Sequence, residues 1–315
     1  MFFIFLYVKQ IINTESGHVP VLLEESIHFL APKDGGVYID ATFGGGGHSE
    51  AILKAAKCSV IALDRDEDAA KRAISFSKKY IDRFSFFLSN FSQIDSIIGE
   101  NFFDGILFDF GVSSFQLEDV ARGFSFQVNG PLDMRMGNSG LTAGEVINSF
   151  KEEEIFQIIK FYGEERFAKR ISHDIVNNRP INTTFELANI VRSVIPKVSL
   201  IDPATKTFQA FRIFVNDELK EIDIALSKIE NLVIKNKIKK ANIVTIAFHS
   251  LEDRIVKNWI RKNQSKKDEI NEKKIILREN VRKVVVPRRE EQQKNPRSRS
   301  ARLRAVTLEY LGEKE

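Results

Sequence analysis

Tyr38 to Asp66 reads YIDATFGGGGHSEAILKAAKCSVIALDRD. A short apolar run, Val37 to Ile39, meets Asp40, and four glycines follow from Gly44 to Gly47, then His48 and Ser49. An Ala-, Leu- and Lys-rich segment of helical composition leads to a second β-type run, Ser59 to Leu63, which ends in Asp64. Strand, glycine loop, helix, strand, acid is the order of a nucleotide-binding βαβ unit. The glycines let the backbone approach a ligand closely, and an acid about 20 residues on accepts hydrogen bonds from ribose hydroxyls.

The ligand need not be a dinucleotide. A nicotinamide fingerprint wants G-x-G-x-x-G, but Gly44 and Gly46 are followed by Ser49, and Gly45 and Gly47 by Glu50. An acid ending the strand before the glycines, with another ending the next strand, fits S-adenosylmethionine better. That molecule has ribose hydroxyls, an adenine and a cationic amino-acid tail, but no phosphate to cradle. A plain glycine turn is the alternative. It is disfavoured because four consecutive glycines cost conformational entropy without an obvious packing gain.

Later strands extend the pattern. Phe84 to Leu88 leads to Asn90 and Phe91, and Asp104 to Phe108 ends in Asp109. Helix-compatible sequence separates these runs, which predicts a parallel, doubly wound α/β sheet. Ligands bind at the carboxyl ends of such strands, so Asp40, Asp64, Asn90, Phe91 and Asp109 are expected to face one crevice.

The strand pattern then stops for about a hundred residues, by the length of a further small domain. Thr142 with Glu145, Ser149 with Glu152, and Thr183 with Glu186 read as capping boxes. Phe208, Phe211, Val215 and Leu219 follow a helical stripe. Asn242 to Phe248 returns to a β-run, and Ser250 with Asp253 caps another helix. An α-helical domain is thus inserted between the fourth and fifth strands. Lys283 to Val286 and Leu303 to Leu308 read as a closing strand pair, with RREEQQKNPRSRS between them as a loop.

Composition bounds the chemistry. The 315 residues, 43% hydrophobic and 29% charged, suit a folded soluble protein. A single cysteine, Cys58, excludes an internal disulfide and a cysteine-rich zinc site, and the five histidines show no metal-ligand spacing. Cys58 reads as a small core residue, so no metal and no covalent intermediate are expected. The apolar start, MFFIFLYV, lacks a basic beginning and a cleavage site, and is too short to span a bilayer. Residues 1–17 read as an extension outside the fold, and a cytoplasmic protein is expected. Net charge is only +4, yet Arg254 to Arg304 holds 18 Lys and Arg against 6 Asp and Glu. Such a segment favours a polyanion, or is simply a solvated tail.

Two segments look chemical. After the fourth strand, Asp109 is followed at once by Gly111, Ser113 and Ser114. Acceptors there could orient an exocyclic amine, whose lone pair is delocalised into its ring. Methyl transfer from a sulfonium needs little beyond in-line placement and exclusion of water. The plainer reading has Asp109 capping a turn and the serines satisfying backbone. In FHSLEDR, Phe248 to Arg254, His249 could be a base or a substrate contact, although Ser250 and Asp253 already have a capping job. In YGEERFAKRI, Glu165 and Lys169 at i,i+4 spacing read as ordinary helix support.

The chain resembles the bacterial ribosomal RNA small-subunit methyltransferase H (MraW) family. The blocks that carry the resemblance are HVPVLLEES (His18 to Ser26), DATFGGGGHS (Asp40 to Ser49), ALDRD (Ala62 to Asp66), DFGVSSFQLEDVARGFSF (Asp109 to Phe126), GPLDMRM (Gly130 to Met136), YGEERFAKRI (Tyr162 to Ile171), PATKTFQAFRIFVNDEL (Pro203 to Leu219), FHSLEDRIVK (Phe248 to Lys257) and NPRSRSARLR (Asn295 to Arg304). They span nearly everything after Gly17. The resemblance implies a Rossmann-like methyltransferase domain over 18–112 and 216–315, interrupted by a helical substrate-recognition domain over 113–215. It implies methylation of the exocyclic N4 of a cytidine in the decoding region of 16S rRNA, within the small ribosomal subunit or its late precursor. S-adenosylmethionine would lie on Gly46, Gly47 and His48, with Asp64 on the ribose and Phe91 against adenine. Asp109 and Gln116 would lie near the adenine or methionine end. Asp109, Ser113 and His249 are the candidate catalytic groups. Monomer and homodimer both stay open.

Three places depart from the family pattern. Asp202 and Lys206 stand where the family usually has His and Arg, and Asp202 would weaken any phosphate contact there. KNKIKKAN (Lys235 to Asn242) replaces a Pro-Gly-Gly turn and is expected to alter only a surface turn. A DNA amino-methyltransferase competes with this reading, but it predicts an Asn/Asp-Pro-Pro-aromatic motif, whereas Asp109 opens Asp-Phe-Gly-Val. A non-catalytic RNA-binding assembly factor with a retained cofactor fold is the competitor from another class.

Overall fold

The computed structural model describes residues 20–195, 201–264 and 275–312. The extension expected over 1–17, His18 of the first matching block, and part of the basic segment lie outside the described residues. The chain separates into two compact units. One comprises the residues up to Gly111 and those from Leu219 onward; the other is Val112–Glu218.

The first unit is built on a seven-stranded sheet, β1 (Val37–Asp40), β2 (Ser59–Asp64), β3 (Phe84–Leu88), β4 (Gly105–Asp109), β5 (Ala241–Ala247), β6 (Ile275–Glu279) and β7 (Arg302–Tyr310). Its order is β3-β2-β1-β4-β5-β7-β6. The first five strands run parallel, and β7 inserts antiparallel between β5 and β6. This is the doubly wound, Rossmann-like sheet expected from the strand-helix alternation.

Alternation along each strand assigns side chains to two apolar layers. Ile39, Ile106, Phe108 and Ile243 pack on one face, and Tyr38, Val60, Leu107 and Val244 on the other. Both faces are covered, so these strands are nearly continuous apolar runs. Helix α1 (Leu23–Leu30), α2 (Gly47–Ala55) and α3 (Glu67–Lys79) precede β1, β2 and β3 respectively, and the short α4 (Ile94–Ile98) precedes β4. Cys58 is buried in one of these layers.

The closing strand pair differs from expectation. The partner of β7 is Ile275–Glu279, whereas Val285 makes only an isolated bridge with Leu303. Pro287 lacks an N–H donor, which fits the ladder stopping there. Ile275 and Leu277 instead extend the buried layer. The expected loop after it holds a helix, Arg289–Lys294, and a 3₁₀ turn, Pro296–Ser300. Glu290 and Glu291 favour that helix's first turn, and Glu291 Oε1 also accepts from Leu22 N–H at 2.8 Å. Nor is KNKIKKAN only a surface turn: Asn236 is buried and donates to the carbonyls of Gly99 and Asn101, and Ile238 enters the core.

The second unit contains α5 (Ser114–Glu118), α6 (Ala143–Ser149), α7 (Glu152–Gly163), α8 (Ala168–Asn177), α9 (Thr184–Val194) and α10 (Thr205–Asn216). Its core joins Ile155, Ile159, Leu187, Val191, Phe208 and Phe211. Thr142–Glu145 and Thr183–Glu186 form the expected capping boxes. Ser149–Glu152 does not. Ser149 ends α6, its hydroxyl donating to Glu145 O, and Glu154 accepts from the Lys151 N–H to start α7. Glu165 and Lys169 do not share a helix either: buried Glu165 precedes α8 and accepts from Phe167 N–H at 2.9 Å. The stripe from Phe208 to Leu219 is broken at Asp217, whose φ is 51°. There Asn216 turns inward, accepting from Met136 N–H at 2.7 Å and donating to Met134 O at 2.7 Å. A new helix, α11 (Glu218–Lys235), follows the break.

Candidate active site

Polar groups gather at the carboxyl ends of β1, β2 and β4 because each strand ends in an aspartate. Asp40 is fully buried; its Oδ2 accepts from the Ser49 hydroxyl at 2.6 Å and its Oδ1 from Thr42 N–H at 3.2 Å. Burial pushes its carboxyl up, against the Ser49 and Thr42 hydrogen bonds and the nearby His48. Thr42 Oγ1 in turn accepts from Asp109 N–H at 2.7 Å. The loop after β1 is thereby fastened to the end of β4.

Asp64, half-buried at the end of β2, accepts from Gly44 N–H at 2.7 Å and Asp66 N–H at 2.9 Å. Burial pushes its carboxyl up to about 6 despite those two donors. The acid that could hold ribose hydroxyls therefore also shapes the glycine loop. Arg72 Nε closes the same loop by donating to Gly44 O at 2.9 Å.

The glycines have a packing role that the sequence does not reveal. Gly46 has φ of 80° and caps α2, and a Cβ there would lie 2.7 Å from Phe76 and 2.8 Å from Phe43. A Cβ on Gly47 would lie 2.3 Å from Pro20 Cγ. Close packing and close ligand approach thus ask for the same residue type. Helix α2 begins at Gly47, and the amides at a helix start suit a carboxylate.

His48 is 5% exposed, and neither ring nitrogen has a hydrogen-bond partner among the described residues. Its Nε2 stands 3.6 Å from Asp109 Oδ2, an ion-pair distance beyond hydrogen-bond reach. Asp109 Oδ1 is buried and likewise has no hydrogen-bond partner among the described residues. Phe91 follows β3, with its ring edge-on to Phe108 at 5.7 Å and tilted to Phe110 at 6.0 Å. An aromatic wall therefore borders the strand that ends in Asp109.

His249 lies after β5 and is the N-cap of α12 (Ser250–Asn263), pairing with Glu252 one residue before the box expected from Ser250 and Asp253. Glu252 Oε2 accepts from Phe248 N–H at 2.7 Å, and Glu252 Oε1 lies 3.1 Å from His249 Nε2. Asp253 is freed for another role, a bidentate pair with Arg304 of β7 at 2.7 and 3.1 Å. Burial pulls the Asp253 carboxyl up, but the hydrogen bonds and charges of Arg304 and Arg302 hold it below the ordinary range.

In the inserted unit, Ser113 and Gln116 form the capping box of α5: Ser113 N–H donates to Gln116 Oε1 at 2.9 Å, and Gln116 N–H to Ser113 Oγ at 3.2 Å. Asp202 pairs with Arg192 at 2.8 Å, and that guanidinium lies over the Phe126 ring. Lys206 donates to Glu164 O at 3.2 Å. Both departures from the family pattern have partners within this unit.

The sites read from sequence in the first unit thus fall into a glycine-loop group (Gly46, Gly47, His48, Asp64, Asp109) with Phe91 beside it, while His249 caps a separate helix. Sequence reasoning gives no role to Thr42 or Ser49, which fasten this group. Their signal was a hydroxyl two residues and nine residues after a strand-end acid.

Comparison with known proteins agrees in extent. The model of the MraW methylase family matches residues 15–309. A protein of Rickettsia canadensis named ribosomal RNA small subunit methyltransferase H is 44% identical over 309 residues, covering 94% of this chain and 99% of its own. Proteins of the same name from a Wolbachia species and from Neorickettsia sennetsu are 46% and 48% identical. They cover 92% of this chain in each case, and 98% and 95% of their own lengths.

Proposed function

Since the chain belongs to the MraW methylase family, we propose that it methylates the exocyclic N4 of a cytidine in the decoding region of 16S rRNA. S-adenosylmethionine would be the donor, and the small ribosomal subunit or its late precursor the substrate, in the cytoplasm. The observation that carries this reading is the near end-to-end match to relatives named for ribosomal RNA small-subunit methylation. No helix among the described residues is long and apolar enough to cross a membrane.

The donor set fits S-adenosylmethionine on three grounds. The glycine loop leaves α2's first amides for a carboxylate. The Asp64 carboxylate ends the next strand about 20 residues after the loop, where an acid accepts from ribose hydroxyls, and it touches the loop through Gly44 N–H. Phe91 offers an apolar ring for adenine. Gly46, Gly47 and the His48 backbone would hold the amino-acid tail. When bound, S-adenosylmethionine supplies a methyl carbon on a sulfonium sulfur that keeps the bonding electron pair as the carbon passes to nitrogen.

The chain's own task is to place and deprotonate the amine. Asp109 Oδ1, buried and lacking a donor among the described residues, would accept an N4–H hydrogen bond. That contact returns electron density to the nitrogen and gives the departing proton an acceptor. Thr42 positions Asp109 through its backbone. Ser113 and His249 cap their own helices and would contact substrate. The target base would have to leave its stack to reach this crevice. The helical insert and the basic C-terminal part would contact phosphate, so binding should weaken as salt rises.

Mass spectrometry of ribosomal RNA from a deletion strain tests the reading. Loss of N4-methylcytidine supports it, and an unchanged level refutes it. Asp109→Ala should abolish transfer at saturating cofactor.

A further inference from the structure

His48 is used above only through its backbone, yet its side chain is the least satisfied polar group at the site. The ring is 5% exposed, and neither nitrogen has a hydrogen-bond partner among the described residues. Any protonation state of imidazole leaves at least one N–H donor. The charged groups that face it are Asp40, whose oxygens are engaged by Ser49 and Thr42, and Asp109, whose nearer oxygen is 3.6 Å away. The other Asp109 oxygen, Oδ1, is a buried acceptor that also lacks a hydrogen bond there. His48 and the Asp109 carboxylate therefore meet at the end of β4, Nε2 lying 3.6 Å from Oδ2 while Oδ1 is buried without a donor among the described residues. Leaving each unpaired costs about 1–3 kcal/mol, so a ligand that pairs both at once is strongly favoured.

We infer that the His48 imidazole N–H and Asp109 Oδ1 together read the Watson–Crick edge of the target base, His48 donating to ring N3 while Asp109 accepts from the N4 amine. Cytosine presents that donor and acceptor on adjacent positions. Uracil reverses both, with a carbonyl facing Asp109 and an N–H facing His48, so each protein group would meet its like. A site built around such a pair rejects the mismatched base strongly, because its buried groups are then left unpaired. Adenine shares the polarity of cytosine, so this pair selects amino over keto bases and leaves ring size to other contacts. The inference rests on the cytidine N4 reading above and adds the side chain that distinguishes the base.

The test uses full-length enzyme and small subunits whose rRNA carries either cytidine or 3-deazacytidine at the target. The analogue keeps the amine but lacks the N3 acceptor. Wild type should lose about 10–100-fold in kcat/KM on the analogue, the worth of one buried hydrogen bond. In His48→Ala that penalty should shrink to less than about threefold, while His48→Gln, which keeps an N–H, should retain part of it. The analogue's altered ring electronics act equally on all three enzymes, so the change in penalty isolates the contact. Indifference of wild type to the analogue overturns the inference without any variant. So does an undiminished penalty in His48→Ala accompanied by a raised KM for S-adenosylmethionine, which would put the imidazole on the cofactor instead. Failure of wild type to methylate the cytidine substrate at N4 would instead refute the underlying reading.

Discussion

Asp64 should make the first unit more stable, not less, as pH falls from 7 to 4. Its carboxyl is pushed up to about 6 in the folded chain, mainly by burial, from an ordinary 3.8. Between those values the folded state holds a proton that the unfolded state has lost, so this group's contribution is full below about 4 and disappears as pH rises through 6. A gap of about two pH units at about 1.4 kcal/mol each is about 3 kcal/mol. Water reaching a half-buried carboxylate reduces this to about 1–2 kcal/mol. Asp64→Asn removes the titration while keeping the side-chain shape. Trp259, the chain's only tryptophan, is buried in the first unit's core and reports its unfolding by fluorescence. Urea titrations of both proteins from pH 7 to 4 give the difference in stability at each pH, which cancels the other carboxylates. Wild type should gain about 1–2 kcal/mol on the variant across that range. A difference flat to within about 0.5 kcal/mol would refute the burial argument, because a carboxylate relieved by its two backbone donors would titrate at its ordinary value.

Other consequences can be checked separately. Cofactor affinity measured by calorimetry should weaken below pH 6 by up to about tenfold per unit if ionised Asp64 accepts the ribose hydroxyls, and Asp64→Asn should flatten that dependence. Gly47→Ala drives a Cβ into Pro20; it should cost about 1–3 kcal/mol in the Trp259 assay and weaken cofactor binding. Arg304→Ala leaves the mostly buried Asp253 with only the longer Arg302 contact at 3.5 Å and should destabilise the same unit by about 1–3 kcal/mol, with Arg304→Lys recovering only part. Asn216→Ala leaves Met136 N–H and Met134 O unpaired, so hydrogen exchange at the Met136 amide should rise by roughly tenfold or more, about 1–3 kcal/mol.

How far these features could be read in advance follows from their range along the chain. The first five strands lie within a residue of their predicted positions because each is a two-sided buried run closed by a polar residue, a local pattern. The caps at Thr142 and Thr183 were legible for the same reason. The cap falls at Lys151 rather than Ser149 because Ser, Phe, Lys and Glu allow two registers, and α6 takes the serine for its own last turn. The cap at Ser250 moved one residue because Arg304, 51 positions away, holds Asp253. The outer partner of β7 is Ile275–Glu279 rather than Lys283–Val286 because two apolar runs compete for one edge, and sequence does not say which of them extends the buried layer.

The sequence by itself determined the sheet class, the glycine loop and the acids that end its strands, because period-two burial and strand-end chemistry are written in neighbouring residues. Only the tertiary structure decided what those acids do. Asp64 holds the loop, Asp40 holds Ser49, and Asp109 keeps one oxygen without a hydrogen-bond partner among the described residues, near a His48 equally unsatisfied there. Such differences are set by which donors the fold brings within 3 Å and which it excludes along with water, and no local pattern encodes that distance.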